Sequence, residues 1–190
     1  MRIFATFLLA FFLTSCSTTK VSGKMDFENE TYTSPDGEFV VNLPGLVHIN
    51  ARDSQFPGQL FVDFFTGSGY WQLQGLYTIE WLKLSEEITS EKYKELLPSI
   101  MNQHAEKRFA SSGNFQIVEQ QSFTNDDSHV FLAQGVLQGV PSTWICTIKL
   151  YKNRIAFISK VLPLEGVSPI TKLGQNTEYY NEWVRSFTIL

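Results

Sequence analysis

From residue 31 onward the chain alternates apolar and polar positions in short runs, separated by turn-forming residues. In Thr31-Tyr32-Thr33-Ser34-Pro35-Asp36-Gly37-Glu38-Phe39-Val40-Val41-Asn42-Leu43-Pro44-Gly45 a short strand, a Pro-Asp-Gly turn and a second strand follow in order. Proline presets φ and glycine accepts positive φ, so the pattern predicts a hairpin. Strands are predicted over 59–65 and 73–84. In the second, Tyr77, Ile79 and Trp81 share one face while Leu76, Leu82 and Leu84 fall mostly on the other, which predicts a central sheet covered on both sides. A helix capped by Thr89 or Ser90 should run to about residue 111, with Glu91 in its first turn and Gly113 past its end. Its apolar stripe is Tyr93, Leu96, Leu97, Ile100 and Phe109, and Pro98 predicts a kink or break near Leu97. Four more strands, over 115–122, 129–138, 142–151 and 154–161, are joined by short polar links and should pair as consecutive antiparallel neighbours. A closing helix over 176–187 places Tyr180, Trp183, Val184 and Phe187 at i, i+3, i+4 and i+7, a stripe that must dock on something apolar. The economical arrangement is α+β: one antiparallel sheet with helices on both faces, an α/β/α sandwich.

The first residues follow a different pattern. Positions 3–13 are an eleven-residue run, apolar but for Thr6 and preceded by Arg2, too short for a hydrocarbon core that needs about 20 apolar residues. Leu13-Thr14-Ser15-Cys16 closes it and resembles the lipobox of bacterial lipoproteins. The resemblance implies a signal peptide over 1–15, lipidation of Cys16 through a thioether with further acylation such as palmitate, and a mature chain beginning at Cys16. Ser17, a residue other than Asp after the cysteine, implies by the same resemblance an outer-membrane address facing the periplasm, or the cell membrane where the source has one membrane. Residues 16–30 read as a lipidated tether; the fourteen from Ser17 to Glu30 are polar and lack periodicity, and as a flexible chain would reach roughly 20 Å. Residues 31–190 then form a single globular domain.

Charge and cysteine usage narrow the partners. Loss of Arg2 leaves 14 basic against 19 acidic residues, about −5, which disfavours nucleic acid and electrostatic attraction to anionic headgroups, so attachment should rest on acyl chains. A hydrophobic content of 43% argues against disorder. With Cys16 consumed by lipid, Cys146 stands alone. Alternation through Trp144-Ile145-Cys146-Thr147-Ile148 puts it on an apolar face, as a buried small hydrophobe.

Beyond the lipobox, Tyr32…Ser34-Pro35-Asp36-Gly37…Phe39…Leu43-Pro44-Gly45, the mid-chain helix, the strand meander and the closing Trp183…Ser186-Phe187 resemble the PsbP-like family over about residues 30–189. That family includes the extrinsic photosystem II protein, a Ran-binding nuclear-import factor and many bacterial lipoproteins. The resemblance implies a sandwich used mostly to bind protein partners, and brings no catalytic motif.

Little chemistry is written in the chain. His48, His104 and His129 have no metal-ligand spacing, and no cofactor is expected. His104, four positions after Ile100, should border the helix's buried face. Asp126-Asp127 reads as a polar turn, and Gly67-Ser68-Gly69 lacks the pentapeptide and following helix of a nucleophile elbow. The loop Thr66-Gly67-Ser68-Gly69-Tyr70-Trp71 sets two large aromatics beside a flexible tip, making Tyr70 and Trp71 the candidate binding residues. Two functions follow: a non-enzymatic envelope lipoprotein that binds an envelope protein or a small ligand, or a hydrolase whose nucleophile and base meet only in three dimensions. A cleft holding Ser, His and a carboxylate within hydrogen-bond reach would separate them.

Overall fold

The structure is a computed structural model that describes residues 20–45, 47–53, 58–66, 76–109, 115–123, 128–137, 140–163 and 169–190. Its strands are β1 (Lys20–Val21), β2 (Lys24–Asp26), β3 (Thr31–Thr33), β4 (Phe39–Asn42), β5 (Val47–Asp53), β6 (Gln59–Thr66), β7 (Leu76–Lys83), β8 (Phe115–Phe123), β9 (Ser128–Leu137), β10 (Val140–Tyr151), β11 (Arg154–Pro163) and β12 (Thr188–Ile189). Helix α1 (Ser90–Phe109) lies between β7 and β8, and α2 (Pro169–Ser186) between β11 and β12.

These elements do not build the expected α/β/α sandwich. The described residues are mostly β and form two sheets: eight strands in the order β1-β5-β6-β7-β11-β10-β9-β8, and four in the order β12-β4-β3-β2, all paired antiparallel. The reason lies in the hairpin. Its strands pair with each other, Tyr32 opposite Val41, and then with β2 and β12 rather than joining the large sheet. One face of the large sheet is therefore covered by a second sheet with α2 alongside it, and α1 packs on the other.

Local chemistry explains the hairpin. Ser34 Oγ accepts the N–H groups of Glu38 and Phe39 and lies 2.6 Å from Asp36 Oδ1, while Gly37 takes φ of +72°. The segment read as a tether carries β1 and β2, which link the edges of the two sheets: Val21 pairs with Ala51 and Met25 with Tyr32. Gly23 sits at the crossing, where a Cβ would strike the Thr33 carbonyl and the Tyr32 ring.

Helix α1 runs through Pro98 without a break. Tyr93, Leu97, Met101 and Ala105, spaced by four, are all buried against the sheet, and this packing holds both halves despite the lost backbone bond. Thr89 Oγ1 accepts the N–H of Lys92, and Tyr93 N donates to Thr89 O, so the start is capped as the sequence suggests. Cys146 is fully buried beside Trp144 and Ile148. Helix α2 begins earlier than the pattern indicates, at Pro169, a favoured first helical residue.

Candidate functional site

Strand β6 shows how the site arises. Leu60, Val62 and Phe64 turn toward the second sheet and are buried with Tyr32, Phe39, Val41 and Trp183. Gln59, Phe61 and Asp63 alternate with them and face the α1 side. On β7, Tyr77, Ile79 and Trp81 go with the first set and Thr78 and Glu80 with the second. Ser159 of β11, opposite Thr78, and Arg52 of β5, opposite Phe61, complete a polar half of this sheet face. A helix with its side chains is about 10–12 Å across, and strands lie roughly 4.8 Å apart, so one helix covers only part of eight strands. Helix α1 lies against β8 and β9, and the far strands are left to polar side chains.

Arg52, Phe61, Asp63, Thr78, Glu80, His104, Lys107 and Trp144 line a cleft of about 230 Å³ there. Its charges are arranged by depth. The Asp63 and Glu80 side chains are only 10% and 11% exposed, whereas those of Arg52 and Lys107 are 34% and 59% exposed at the mouth. Arg52 Nη1 donates to Asp63 Oδ2. Glu80 receives Gln59 Nε2 and Lys107 Nζ, the latter at 3.4 Å, and lies 3.4 Å from His104 Nδ1. The His104 ring stacks on Phe157 with centroids 3.9 Å apart, so this histidine borders the buried face as its spacing suggests. Arg52 and Lys107 both stand over Phe61, at 5.4 and 4.9 Å from the ring centroid.

The cleft brings a hydroxyl, a histidine and a carboxylate together, but not as a relay. Thr78 Oγ1 and Ser159 Oγ are 2.5 Å apart and hydrogen-bonded to each other, while His104 is aimed at Glu80. Among the described residues no three His, Cys, Asp or Glu side chains are grouped to hold a metal ion.

A second groove, of about 260 Å³, is lined by Asn42, Leu43, Pro44, Tyr77, Tyr179, Glu182 and Trp183. Two of its three aromatic rings are engaged within the fold, Trp183 packing edge-on to Tyr77 with centroids 4.8 Å apart and donating from Nε1 to Asn42 O, while Tyr179 is exposed. Lys160 Nζ stands 4.7 Å from the Tyr77 centroid.

Of the residues singled out from sequence, Cys16, Tyr70, Trp71, the Gly67-Ser68-Gly69 segment and Asp126-Asp127 lie outside the described residues. His48 is exposed beside Phe65. His129 is buried, and desolvation lowers its pKa. Arg52, Asp63, Glu80 and Lys107 were not indicated by any motif. The signal available was on β7, where Thr78 and Glu80 interrupt the second apolar face between Leu76 and Leu82. Among the described residues no helix is long and apolar enough to cross a membrane.

No protein-family model matches this chain, and no curated protein does. Among solved structures, a protein from Bacteroides thetaiotaomicron VPI-5482 is similar at 12% identity and a TM-score of 0.48, covering 86% of this chain; this chain spans 49% of that one. The Saccharomyces cerevisiae Ran-binding protein Mog1p is similar at 8% identity and a TM-score of 0.43, covering 91% of this chain and 96% of its own. A Mog1 point mutant gives 9% identity and a TM-score of 0.38. Likeness at this level carries no argument about what this chain binds.

Proposed function

We propose that this chain is a lipid-anchored, non-enzymatic binding module of a bacterial envelope, and that it engages a protein partner through the cleft between α1 and β5–β7. The supporting observation is the order of charges by depth: Asp63 and Glu80 are buried with their bonds directed to neighbouring side chains, while the cations facing outward are fixed over one ring. Such an arrangement recognises a group more readily than it transfers a proton. The lipobox resemblance at Cys16 supports the anchor, and Ser17 the outer-membrane address with the domain facing the periplasm. With β1 beginning at Lys20, residues 17–19 would hold the large sheet within roughly 15 Å of the lipid, at about 3.5 Å per extended residue.

Two measurements test this. Wild-type protein should stay with membranes through a salt wash, since each buried methylene contributes about 0.8 kcal/mol, and Cys16→Ser should be released or remain unprocessed. Recovery of wild type in the wash would remove the anchor. Crosslinking in native envelopes should capture a partner, and Lys107→Glu, on the exposed face of α1, should reduce that capture at an unchanged melting temperature. Undiminished capture would remove the cleft from the interface.

A further inference from the structure

We infer that the mouth of the cleft is a receptor for a small carboxylate carried on an apolar body, with Arg52 and Lys107 taking the anion and Phe61 the body. This deepens the binding reading above and rests on it. Arg52 uses only Nη1 on Asp63, so among the described residues its Nε and Nη2 keep their hydrogens for a ligand. Lys107 directs one donor to Glu80, at the long distance of 3.4 Å, and retains two. Because both stand over the same ring, within 5.4 and 4.9 Å of its centroid, the two cations lie no more than about 10 Å apart.

Position and charge together select the sign of the ligand. The acids are deep and bonded, so an approaching group meets cations first, and these are already oriented by their carboxylates and by the Phe61 face. An incoming carboxylate can accept from the unused Arg52 donors, with the Lys107 ammonium on the same ring adding attraction, while Asp63 and Glu80 hold both cations in place. Partly buried Phe61 and the ring of buried Trp144 supply the apolar lining. About 230 Å³ is below the usual 300–1,000 Å³ of drug-sized pockets, which limits the occupant to one residue-sized group, either a free acid or the C-terminal residue of a polypeptide.

The test is an NMR titration of the intact domain with N-acetylphenylalanine, its uncharged amide, inorganic phosphate, and a hexapeptide ending in Phe with a free carboxylate. The acid should shift α1 and β6 resonances saturably. Both the amide and phosphate should bind at least about tenfold more weakly, since the first lacks the charge and the second the body. Tighter binding of the hexapeptide than of the free acid would assign the source to a polypeptide terminus; equal binding would assign it to a small acid. Lys107→Gln should weaken the acid about tenfold at an unchanged melting temperature. Equal affinity for acid and amide, or for acid and phosphate, overturns the proposal, as does no binding of the acid. Should the acid fail while Lys107→Glu still abolishes partner crosslinking, the binding-module reading stands and this assignment falls.

Discussion

The two sides of the large sheet solve the same covering problem differently. Toward the second sheet, the buried rings share one hydrophobic cluster in two contacting groups, Tyr32, Phe64, Tyr77 and Trp183 in one and Phe39, Trp81 and Phe187 in the other, with centroid separations such as 5.0 Å for Phe39–Phe187 and 5.8 Å for Phe64–Trp183. Two of its buried polar groups are bonded across it: Tyr180 donates to Ile158 O at 2.6 Å, and Trp81 Nε1 to Glu38 Oε2 at 2.5 Å. Toward α1, one helix seals β8–β11 and leaves β5–β7 to a cleft of charged side chains. Coverage by a sheet plus a helix thus gives a closed core, and coverage by a single helix leaves room for a site. Stability should reside on the first side and binding on the second.

The sharpest way to break this contrast is Trp183→Ala. Trp183 is 4% exposed, packs edge-on to Phe64 and Tyr77, and bonds to Asn42 O, so it joins α2, the small sheet and the large sheet. Truncation should cost roughly 3–5 kcal/mol in denaturant unfolding. A midpoint shift matching a surface substitution would show that α2 does not close the core.

Next in size is Glu38→Gln. Glu38 pairs through both carboxylate oxygens with the Arg154 guanidinium, at 2.8 Å for Nε to Oε2, across the rim between the hairpin and β11. The hydrogen bonds from Arg154, aided by the one from Trp81 and opposed by burial, hold its carboxyl below the ordinary 4.5. Neutralising it strands a largely buried guanidinium and should cost about 2 kcal/mol near neutral pH, discounted for the carboxylate's partial exposure. Because the folded value is depressed, the carboxylate's contribution is present above about 4.5 and is lost as pH falls through the lower folded value. The gap between wild type and variant, followed by urea unfolding from pH 7 to 3, should therefore close on acidification. A gap that stays constant or widens would contradict the sign.

The same contrast explains what could be read from the chain. The hairpin, the capped helix and the β8–β11 meander each rest on contacts close in sequence, Ser34 with Glu38 and Phe39, Thr89 with Lys92, and β10 with its neighbours on either side. Strands β1 and β2 were hidden because two or three residues cannot display a period; they exist through pairing with β5 and β3. The second sheet was hidden for the same reason, its closing strand β12 pairing with β4 from the far end of the chain. Apolar Leu76 and Leu82 made the second face of β7 look fully covered, when Thr78 and Glu80 between them mark where coverage ends. The cleft draws Arg52, Asp63, Glu80 and Lys107 from four elements, and no spacing within the sequence joins them.

The smallest expected effect sharpens the comparison from the open side. Asp63→Asn removes one charge from a pair resembling Glu38–Arg154 in residue type but not in setting. Arg52 is a third exposed, bonded through a single nitrogen, and supported on Phe61, so water can solvate it once its partner is neutral. The cost should be about 1 kcal/mol or less, within the range of partly exposed ion pairs. Binding at the cleft should change more than stability does, because the guanidinium loses the anchor that orients it. Parallel urea titrations of Asp63→Asn and Glu38→Gln decide the point: a loss for Asp63→Asn equal to or above that for Glu38→Gln would make the cleft pair part of the core and erase the division between a sealed side and a binding side.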